Sequence, residues 1–319
     1  MAVGSRARSA EALQGGFDGA KITDCSISVI IDELSIEKSY VRRRTNPQKQ
    51  GEVCFLCFRR EIMNVGKGAE DMELQEFFRQ NPKVAIAFSG GVDSSYLLYA
   101  AKQYAQEVRA YYVAAEFQPK FEFEDAMRLA KEIGAQVKVL RLSALEIPGV
   151  AENPANRCYY CKQGIFGAIW NAAKEDGYQV LLDGTNASDD AGDRPGMKAL
   201  KVLSVRSPLR ECGLTKARIR ELSKEAGLFT WDKPAYACLA TRIPTGERIT
   251  KEKLAATEAV EGYLFSLGFT DFRVRSREGH ARIQLPEAQW DMLVKHRAEI
   301  LEELRNYYVT VSLDLEVRG

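Results

Sequence analysis

The chain has 319 residues, of which 45% are hydrophobic and 28% charged, and its net charge is +1 at neutral pH. This composition is that of a globular protein, its length suggests two domains, and its charge favours neither a nucleic-acid surface nor a membrane-binding face. No apolar run approaches the length of a membrane span, and the N-terminus lacks the apolar stretch of a secretory signal. Seven cysteines, an odd number, favour reduced thiols or metal ligands over a disulfide framework, and the cytoplasm is the expected compartment.

Residues 1–71 differ in composition from the rest of the chain. They mix Ala, Gly, Ser, Arg and Lys without periodicity, and we predict an extension that is either disordered or the product of an over-long reading of the gene. Cys54 and Cys57 have the spacing of two metal ligands, but apolar residues surround them and no second pair stands nearby. The pattern therefore does not favour a structural zinc site, and the first clear helix begins at Met72.

The clearest chemistry follows an apolar run, Val84–Phe88, that ends in the turn Ser89-Gly-Gly91. A helical pattern starts at Asp93 or Ser94, so the stretch predicts a buried strand, a glycine turn and a helix N-terminus. Adjacent glycines let the backbone approach a ligand closely, and the unpaired N–H groups of the first helical turn favour an anion. Asp93 stands where a carboxylate could hold Mg²⁺ against phosphate oxygens.

This turn can be compared with the known phosphate-binding loops. A Walker loop requires a lysine after its second glycine, and a dinucleotide fingerprint requires Gly-x-Gly-x-x-Gly; the turn has neither. The hexapeptide Ser89-Gly-Gly-Val-Asp-Ser94 instead resembles the PP-loop of ATP pyrophosphatases, which split ATP into AMP and pyrophosphate while they adenylate a substrate. A tight turn without a ligand is the plainer interpretation, but the full hexapeptide between a strand and a helix favours a nucleotide site.

From residue 83 the pattern alternates between strand and helix. The predicted strands are 84–88, 108–115, 137–142, 180–183 and 202–205. The predicted helices are 94–104, 121–133, 158–174 and 216–226, the last with Thr215 as N-cap and Gly227 as C-cap. Short apolar strands separated by helices predict an α/β domain over residues 72–230, with a parallel, doubly wound sheet. Ligands of such sheets bind at the carboxyl ends of the strands, where the Ser-Gly-Gly turn falls.

The pattern changes after residue 230. A loop over residues 231–249 leads to a small α+β domain over residues 250–319. The elements predicted there are a helix at 251–267, a hairpin of 272–277 and 280–285, a helix at 287–307 and a strand at 309–317.

An acidic segment and three cysteines are further candidates for chemistry. The segment Asp183-Gly-Thr-Asn-Ala-Ser-Asp-Asp190 follows a strand, where it would meet the phosphates or their Mg²⁺; a helix-capping turn is the alternative. Cys158 and Cys161 form a C-x-x-C at the head of a helix, which is typical of a redox pair, of two metal ligands or of half-buried thiols. Cys238 lies on a loop near cationic side chains, which predicts a lowered thiol pKa and a reactive sulfur.

Arg273 and Arg275 alternate onto one face of a hairpin strand. A solvated edge is the common explanation of such charges. A clamp for a phosphate group is the functional alternative, and the pattern leaves both open.

From Met72 to its end the chain resembles the LarE family of ATP-dependent sacrificial sulfur transferases. The resemblance rests on five motifs, of which the two cysteine motifs together are far more specific than the PP-loop. The motifs are Ser89-Gly-Gly-Val-Asp-Ser94, Arg157-Cys-Tyr-Tyr-Cys-Lys162, Asp183-Gly-Thr-Asn-Ala-Ser-Asp-Asp190, Ser207-Pro-Leu-Arg-Glu-Cys-Gly-Leu-Thr215 and Trp231-Asp-Lys-Pro-Ala-Tyr-Ala-Cys-Leu-Ala-Thr-Arg242. Residues 1–71 are not covered by it.

The resemblance implies a step in the synthesis of the nickel-pincer nucleotide, the cofactor of lactate racemase and related enzymes. ATP would adenylate a carboxylate of pyridinium-3,5-biscarboxylic acid mononucleotide with release of pyrophosphate. Sulfur would then displace AMP and give a thiocarboxylate. A carboxylate resists attack by a sulfur nucleophile, whereas its mixed anhydride with AMP carries a good leaving group, so an ATP site is coupled to a thiol.

The resemblance leaves two sources for the sulfur. In one branch of the family a cysteine at the position of Cys238 gives up its own sulfur and becomes dehydroalanine. In the other branch three cysteines hold a [4Fe-4S] cluster whose fourth iron carries an exchangeable sulfide. This sequence has Cys158 and Cys161 as well as Cys238, and three thiolates leave one iron of a cubane open. We therefore expect the cluster type, with Cys212 as a structural residue.

The resemblance also assigns roles by position. Asp93 and Cys238 are expected to be catalytic, and Arg273 and Arg275 to grip the substrate phosphate. The expected ligands of ATP and Mg²⁺ are Ser89, Gly90, Gly91, Asp93, Ser94, Gly184, Thr185 and Asp190. We expect a homo-oligomer, a trimer or a hexamer, that binds ATP and a small nucleotide substrate, with neither nucleic acid nor membrane as a partner.

Two other functions stay open. A PP-loop tRNA thiolase can also use a cysteine-held cluster, but the near-zero net charge and the lack of an obvious RNA-binding segment count against it. A protein that merely binds a nucleotide would hold ATP without turnover, and pyrophosphate release that depends on a carboxylate substrate would exclude it.

Overall fold

The computed structural model describes residues 69–189 and 195–316, which fall within one compact unit, Gly66–Gly319. Asp190, Cys54, Cys57 and all but the last three residues of the predicted extension lie outside the described residues. Among the helices that are described, none is long and apolar enough to cross a membrane.

The first sheet has four strands and is flanked by helices. Its strands are β1 (Lys83–Ala87), β2 (Glu107–Ala114), β3 (Val137–Arg141) and β4 (Leu181–Leu182). The helices are α1 (Ala69–Gln80), α2 (Val92–Tyr104), α3 (Lys120–Glu132), α4 (Arg157–Glu175), α5 (Pro195–Val202), α6 (Pro208–Glu211) and α7 (Lys216–Glu225). All strand pairs are parallel, in the order β3-β2-β1-β4. This confirms the predicted α/β fold with a parallel sheet.

Helices cover both faces of this sheet because its strands carry apolar side chains on both sides. On one face Ile86 of β1 shares a buried cluster with Leu97 of α2 and Leu129 of α3. On the other face Tyr111 of β2 shares a cluster with Ile169 of α4. The PP-loop follows β1 at the carboxyl edge of the sheet.

The predicted N-cap of α7, Thr215, is confirmed, whereas the C-cap is Ala226, one residue before the predicted Gly227. Thr215 Oγ1 accepts a hydrogen bond from the Arg218 N–H at 3.3 Å at the start of the helix. Gly227 follows the helix with a left-handed φ of 70°, the conformation that glycine adopts without strain.

The strand predicted at 202–205 is wrong. Val202 ends α5 and is 65% exposed, and Ser204 has a left-handed φ of 55°. Of residues 202–206 only Arg206 pairs with the sheet, through a single bridge to β4. Short apolar runs do not distinguish strand from helix by periodicity alone, and here the run continues α5, whose Leu200 is buried.

The second sheet forms a smaller C-terminal domain. Its strands are β5 (Arg273–Arg277), β6 (His280–Gln284) and β7 (Thr310–Leu313), and its helices are α8 (Lys251–Ser266), α9 (Trp290–Lys295) and α10 (Arg297–Leu304). β5 and β6 form the predicted antiparallel hairpin, and β6 pairs with β7 in parallel. A separate buried cluster that includes Phe269, Phe272 and Ile283 forms its core.

The prediction of a single continuous helix at 287–307 is wrong. A short 3₁₀ turn, Glu287–Gln289, precedes α9, and His296 interrupts the helix between α9 and α10. The His296 backbone lies at φ −93° and ψ 8°, outside the helical region. The apolar periodicity continues across this residue and therefore does not reveal the break.

Candidate functional site

The Ser-Gly-Gly turn between β1 and α2 has the geometry of an anion-binding loop. Gly90 has a φ of 76°, and a Cβ there would lie 2.7 Å from the Cβ of Ala126. The Ser89 and Ser94 hydroxyl oxygens lie 3.0 Å apart, and Ser94 Oγ donates to the Gly91 carbonyl oxygen at 3.2 Å. Helix α2 starts without a side-chain cap, so its first N–H groups and its dipole face the turn.

Asp93 lies in the first turn of α2 and pairs with Lys216 at the start of α7. Asp93 Oδ2 lies 2.6 Å from Lys216 Nζ, whereas Oδ1 is buried and has no hydrogen-bond partner among the described residues. Burial has the largest effect on the pKa of Asp93 and raises it. The positive charge of Lys216 opposes this rise, whereas the negative charge of Asp189 adds to it. A buried carboxylate oxygen without a partner fits the oxygen ligand that Mg²⁺ takes. Lys216 is not among the site residues predicted from the sequence, although it directly follows the motif that ends at Thr215.

The acidic segment after β4 approaches the turn closely. A Cβ on Gly184 would lie 2.8 Å from the Ser94 backbone nitrogen, so only glycine allows this approach. Asp183 is buried and accepts hydrogen bonds from the hydroxyls of Ser207, at 2.6 Å, and Thr185. The structure thus brings Gly184 and Thr185 to the PP-loop, with Asp183 holding Thr185 in place.

Two cavities lie at the carboxyl edge of the first sheet. One of about 110 Å³ is lined by Ser89, Tyr112 and Gln118. The other, of about 600 Å³ at the ends of β2 and β3, is lined by the same tyrosine and glutamine and by Ser143. The Tyr112 hydroxyl and Gln118 Oε1 are buried and have no hydrogen-bond partner in the described part of the chain. Such groups are normally paired, so they mark positions for polar ligand atoms.

The cysteine loop, defined here as residues 231–242, is attached to the same edge. Cys238 precedes a 3₁₀ turn, Leu239–Arg242, and the Leu239 N–H donates to the Phe117 carbonyl oxygen at 2.9 Å. Cys161 and Cys238 both pack against the buried cluster that contains Phe117. The loop after β2 therefore joins the cysteine loop to the sheet edge that carries the PP-loop.

The three predicted cysteines lie within electrostatic reach of one another. Burial, and then the charges of Cys238 and Cys158, raise the pKa of the Cys161 thiol to about 12. Burial also raises the pKa of Cys238, against the opposing charge of Arg157. The predicted lowering of the Cys238 pKa is therefore wrong, because the desolvation of this loop outweighs its cationic neighbours.

These thiols match a [4Fe-4S] cluster in donor chemistry, since its irons are held by cysteine thiolates. By distance, however, no three His, Cys, Asp or Glu side chains within the described ranges form a group that could hold a metal ion. Cys212 is separate from them, buried in the core of the first sheet.

The two predicted phosphate-binding arginines both reach the cysteine loop. Arg273 is 6% exposed, and its Nη2 donates to the Ala235 carbonyl oxygen at 2.9 Å. Arg275 Nη1 donates to the Thr241 carbonyl oxygen at 2.7 Å. The sequence does not predict these contacts, which connect β5 with both ends of the segment around Cys238.

A buried ion pair makes a further link to the C-terminal domain. The guanidinium of Arg242 pairs with Glu261 of α8 through bonds of 2.8 and 2.9 Å, and its Nη1 donates to the Ala237 carbonyl oxygen at 2.8 Å. Glu261 also accepts the Val274 N–H at 2.9 Å and the Tyr236 hydroxyl. One carboxylate thus binds α8, β5 and the cysteine loop together.

Comparison with known proteins places this arrangement in a family. The model of the asparagine synthase family matches residues 75–187. An uncharacterized protein of Synechocystis sp. is 38% identical over 250 residues, which cover 76% of this chain and 92% of the relative. The pyridinium-3,5-bisthiocarboxylic acid mononucleotide synthase of Lactiplantibacillus plantarum is 34% identical over 236 residues, or 72% of this chain and 86% of the relative. The chain belongs to the LarE family.

The relation of this LarE-family chain to tRNA-modifying PP-loop enzymes is narrower. A tRNA-specific 2-thiouridylase of Clostridium botulinum is 30% identical over 182 residues, which cover 47% of this chain and 52% of that protein. Membership in the LarE family makes the chain a PP-loop enzyme that uses ATP, and it confirms the family recognised from the motifs.

Proposed function

We propose that this chain is an ATP-dependent sulfur transferase of nickel-pincer nucleotide synthesis. It adenylates the carboxylates of pyridinium-3,5-biscarboxylic acid mononucleotide and converts them to thiocarboxylates, with release of AMP and pyrophosphate. The observation that carries this proposal is that the loop after β2 joins the PP-loop edge to the cysteine loop. The activity for which the Lactiplantibacillus plantarum relative is named supports it.

For adenylation the chain must hold the phosphates of ATP and stabilise the leaving pyrophosphate. The first N–H groups of α2 and the hydroxyls of Ser89 and Ser94 would bind phosphate oxygens. Asp93 would hold Mg²⁺, which neutralises phosphate charge when bound. Lys216, now paired with Asp93, would then be available to the phosphates as a second positive charge.

For substrate binding the chain offers the cavities and the arginines of β5. The Tyr112 hydroxyl and Gln118 Oε1 would contact the polar atoms of a bound nucleotide. Arg275 is less buried than Arg273 and is the better placed of the two to grip the substrate phosphate.

Sulfur would reach the acyl adenylate from the three-thiol site. Cys158, Cys161 and Cys238 would hold a [4Fe-4S] cluster, which would supply an exchangeable sulfide. The alternative donor is Cys238 Sγ, which would displace AMP and form a thioester with the substrate. Loss of the Cys238 Cα proton to solvent would then break the Cβ–Sγ bond, release the thiocarboxylate and leave dehydroalanine. In both cases a carbon–sulfur bond forms at the carboxyl carbon, and the bond to the AMP oxygen breaks.

The experiment separates the two half-reactions in variants of the full-length chain. Cys238→Ala is expected to retain substrate-dependent pyrophosphate release and to lose thiocarboxylate formation, both measured by mass spectrometry. Iron and acid-labile sulfide analysis after anaerobic purification distinguishes the sulfur sources, because the cluster requires about four irons per chain. Normal sulfur transfer by Cys238→Ala would refute the proposed role of this thiol.

A tRNA thiolase is the second candidate, and the match to a tRNA-specific 2-thiouridylase over half of that protein favours its consideration. The same chain incubated with ATP and tRNA is expected to form no thiouridine.

We also propose a cytoplasmic homo-oligomer, a trimer or a hexamer, which size-exclusion chromatography with light scattering would detect.

A further inference from the structure

Asn153 lies in the loop before α4 and contacts the segment that follows the cysteine loop. Its side chain is 1% exposed, and its φ of 55° is left-handed, a conformation that asparagine tolerates better than most residues. Asn153 Nδ2 donates to the carbonyl oxygens of Ile243, Pro244 and Glu247 at 3.3, 2.7 and 3.1 Å. One amide group therefore binds three main-chain carbonyls of this segment.

Arg157 extends this contact into α4 and into the cysteine loop. It is the first residue of the helix and is 8% exposed. Its Nη1 donates to Asn153 Oδ1 at 2.5 Å and to the Ala240 carbonyl oxygen at 3.0 Å, and its Nη2 lies 4.0 Å from Cys158 Sγ. A single guanidinium thus contacts the C-x-x-C helix and the residue two positions after Cys238.

Backbone hydrogen bonds hold the same two segments together further from the thiols. The Gly246 N–H donates to the Asn153 carbonyl oxygen, and the Ile249 N–H donates to the Ala151 carbonyl oxygen, both at 2.8 Å. Within this contact Arg157 reaches a cysteine directly, and Asn153 is connected to it through Arg157.

We propose that Asn153 and Arg157 are positioning residues that fix the cysteine loop against the head of α4, so that Cys238 faces Cys158 and Cys161. This proposal rests on the proposed function only for the chemical role of the three thiols. The placement itself rests on the buried hydrogen bonds of the two side chains.

The chemistry of Arg157 distinguishes positioning from a role of charge alone. A guanidinium is planar and presents its donors in a fixed fork, whereas the ammonium of lysine is a point charge on a flexible stem. Lysine at this position would keep the positive charge near the thiols but not the geometry that joins Asn153 Oδ1 to the Ala240 carbonyl. Arg157→Lys is therefore the informative substitution.

The test uses the full-length chain, purified with reductant and chelator. Dibromobimane, a short reagent that joins two thiols, is then used to bridge its cysteines. Peptide mass spectrometry gives the ratio of the Cys161–Cys238 bridge to the Cys158–Cys161 bridge. The second bridge is an internal reference, because its two cysteines are three residues apart on one helix whatever the loop does.

Wild type is expected to form both bridges. Arg157→Lys and, separately, Asn153→Asp are expected to lower the ratio at least about tenfold, because each removes buried hydrogen bonds. The matched control is Arg248→Lys, whose exposed ion pair with Glu152 (Nη1–Oε1 3.1 Å) joins the same two segments at the surface. We expect this control to stay within about twofold of wild type, since exposed pairs contribute little.

The activity of Arg157→Lys gives a second readout. Substrate-dependent pyrophosphate release is expected within about threefold of wild type, while thiocarboxylate formation falls at least about tenfold. A wild-type chain without the Cys161–Cys238 bridge would overturn the proposal, as would a folded Arg157→Lys chain with an unchanged ratio. If wild type releases no pyrophosphate, the proposed function fails, and the bridge ratio still decides the positioning role.

Discussion

The ion pair between Asp93 and Lys216 influences the protonation of Asp93, the carboxyl group next to the PP-loop glycines. Burial favours the neutral carboxyl and raises the pKa of Asp93, whereas the Lys216 ammonium favours the carboxylate. The charged form that would bind Mg²⁺ is present above this raised pKa and is lost as the pH falls through it. ATP turnover should therefore decline on the acid side at a pH above that of an ordinary aspartate.

The first prediction concerns Asp93→Asn. We expect AMP formation to fall at least about 100-fold, because an amide cannot replace the negative oxygen ligand of Mg²⁺. Circular dichroism should show an unchanged fold. Asp232→Asn, an exposed aspartate on the cysteine loop, is the control, and equal turnover in Asp93→Asn and wild type would exclude the magnesium role.

The second prediction concerns Lys216→Met. Without the ammonium the pKa of Asp93 rises further, so the acid limb of the kcat/KM profile for ATP should move to higher pH. Lys224→Met removes an exposed cation from the same helix and should leave the limb in place. An unshifted limb in Lys216→Met would mean that another group controls it.

Several site residues could be predicted because they stand in short motifs, and others could not because their partners are distant in sequence. The Ser-Gly-Gly turn and the three cysteines are visible in the sequence. Lys216 is a first-turn helix residue until the fold brings it to Asp93, 123 positions away. Burial of the Cys238 loop, which raises its thiol pKa, is likewise a property of packing and has no local signal.

The cysteine loop is an element whose main-chain carbonyls are bound by arginines from α4, α7 and β5 and by its own Arg242. An irregular segment must satisfy its backbone groups without a helix or strand ladder. In each contact an arginine N–H donates to a main-chain carbonyl oxygen. Arg220 donates to Trp231 and Lys233, Arg273 to Ala235, Arg242 to Ala237, Arg157 to Ala240 and Arg275 to Thr241. These guanidinium groups fix the loop and keep positive charge around Cys238.

The third prediction compares Arg273→Ala with Arg275→Ala. Arg273 donates to two carbonyl oxygens while almost fully buried. Its removal should lower the free energy of unfolding by about 2 kcal/mol in urea denaturation. Arg275→Ala should raise the KM of the nucleotide substrate more than that of ATP. An equal rise of both KM values would remove the proposed phosphate grip.

Most elements of the fold follow from periodicity, and the two errors have local causes. The strand predicted at 202–205 is the end of a helix followed by a left-handed residue. The helix predicted at 287–307 is interrupted at His296 without a proline or glycine to signal it. Both cases are decided by burial and backbone geometry, which the apolar pattern does not specify.

At the scale of the whole molecule, the Arg242–Glu261 pair ties the C-terminal domain to the cysteine loop. Glu261 binds the cysteine loop through Arg242 and Tyr236, and it binds β5 through the Val274 N–H. The second domain therefore holds β5 against the cysteine loop, and the sequence motifs alone do not reveal this link.

The fourth prediction is that Glu261→Gln lowers the free energy of unfolding by about 3 kcal/mol, because Arg242 is left buried without its counter-charge. Urea denaturation measures this change. Glu252→Gln, on an exposed position of the same helix, is expected to change it by less than about 0.5 kcal/mol. Equal effects of the two variants would contradict the importance of the buried pair.

The fifth prediction is that a chain that starts at Gly66 keeps its thermal stability and its turnover. The chain divides into the units Met1–Val65 and Gly66–Gly319, and the described sheets, cavities and cysteines all belong to the second. Differential scanning calorimetry and the AMP assay would check this. Lost turnover in the shortened chain would show that residues 1–65 contribute to the reaction.

The measurement that most directly tests the central claim is the stoichiometry of the wild-type reaction. The full-length chain, ATP, Mg²⁺ and pyridinium-3,5-biscarboxylic acid mononucleotide are incubated anaerobically, and AMP and the nucleotide product are quantified by mass spectrometry. We predict one AMP for each carboxylate oxygen replaced by sulfur, and no AMP without the substrate. AMP that accumulates without thiocarboxylate, or that forms equally without the substrate, would contradict a sulfur transferase.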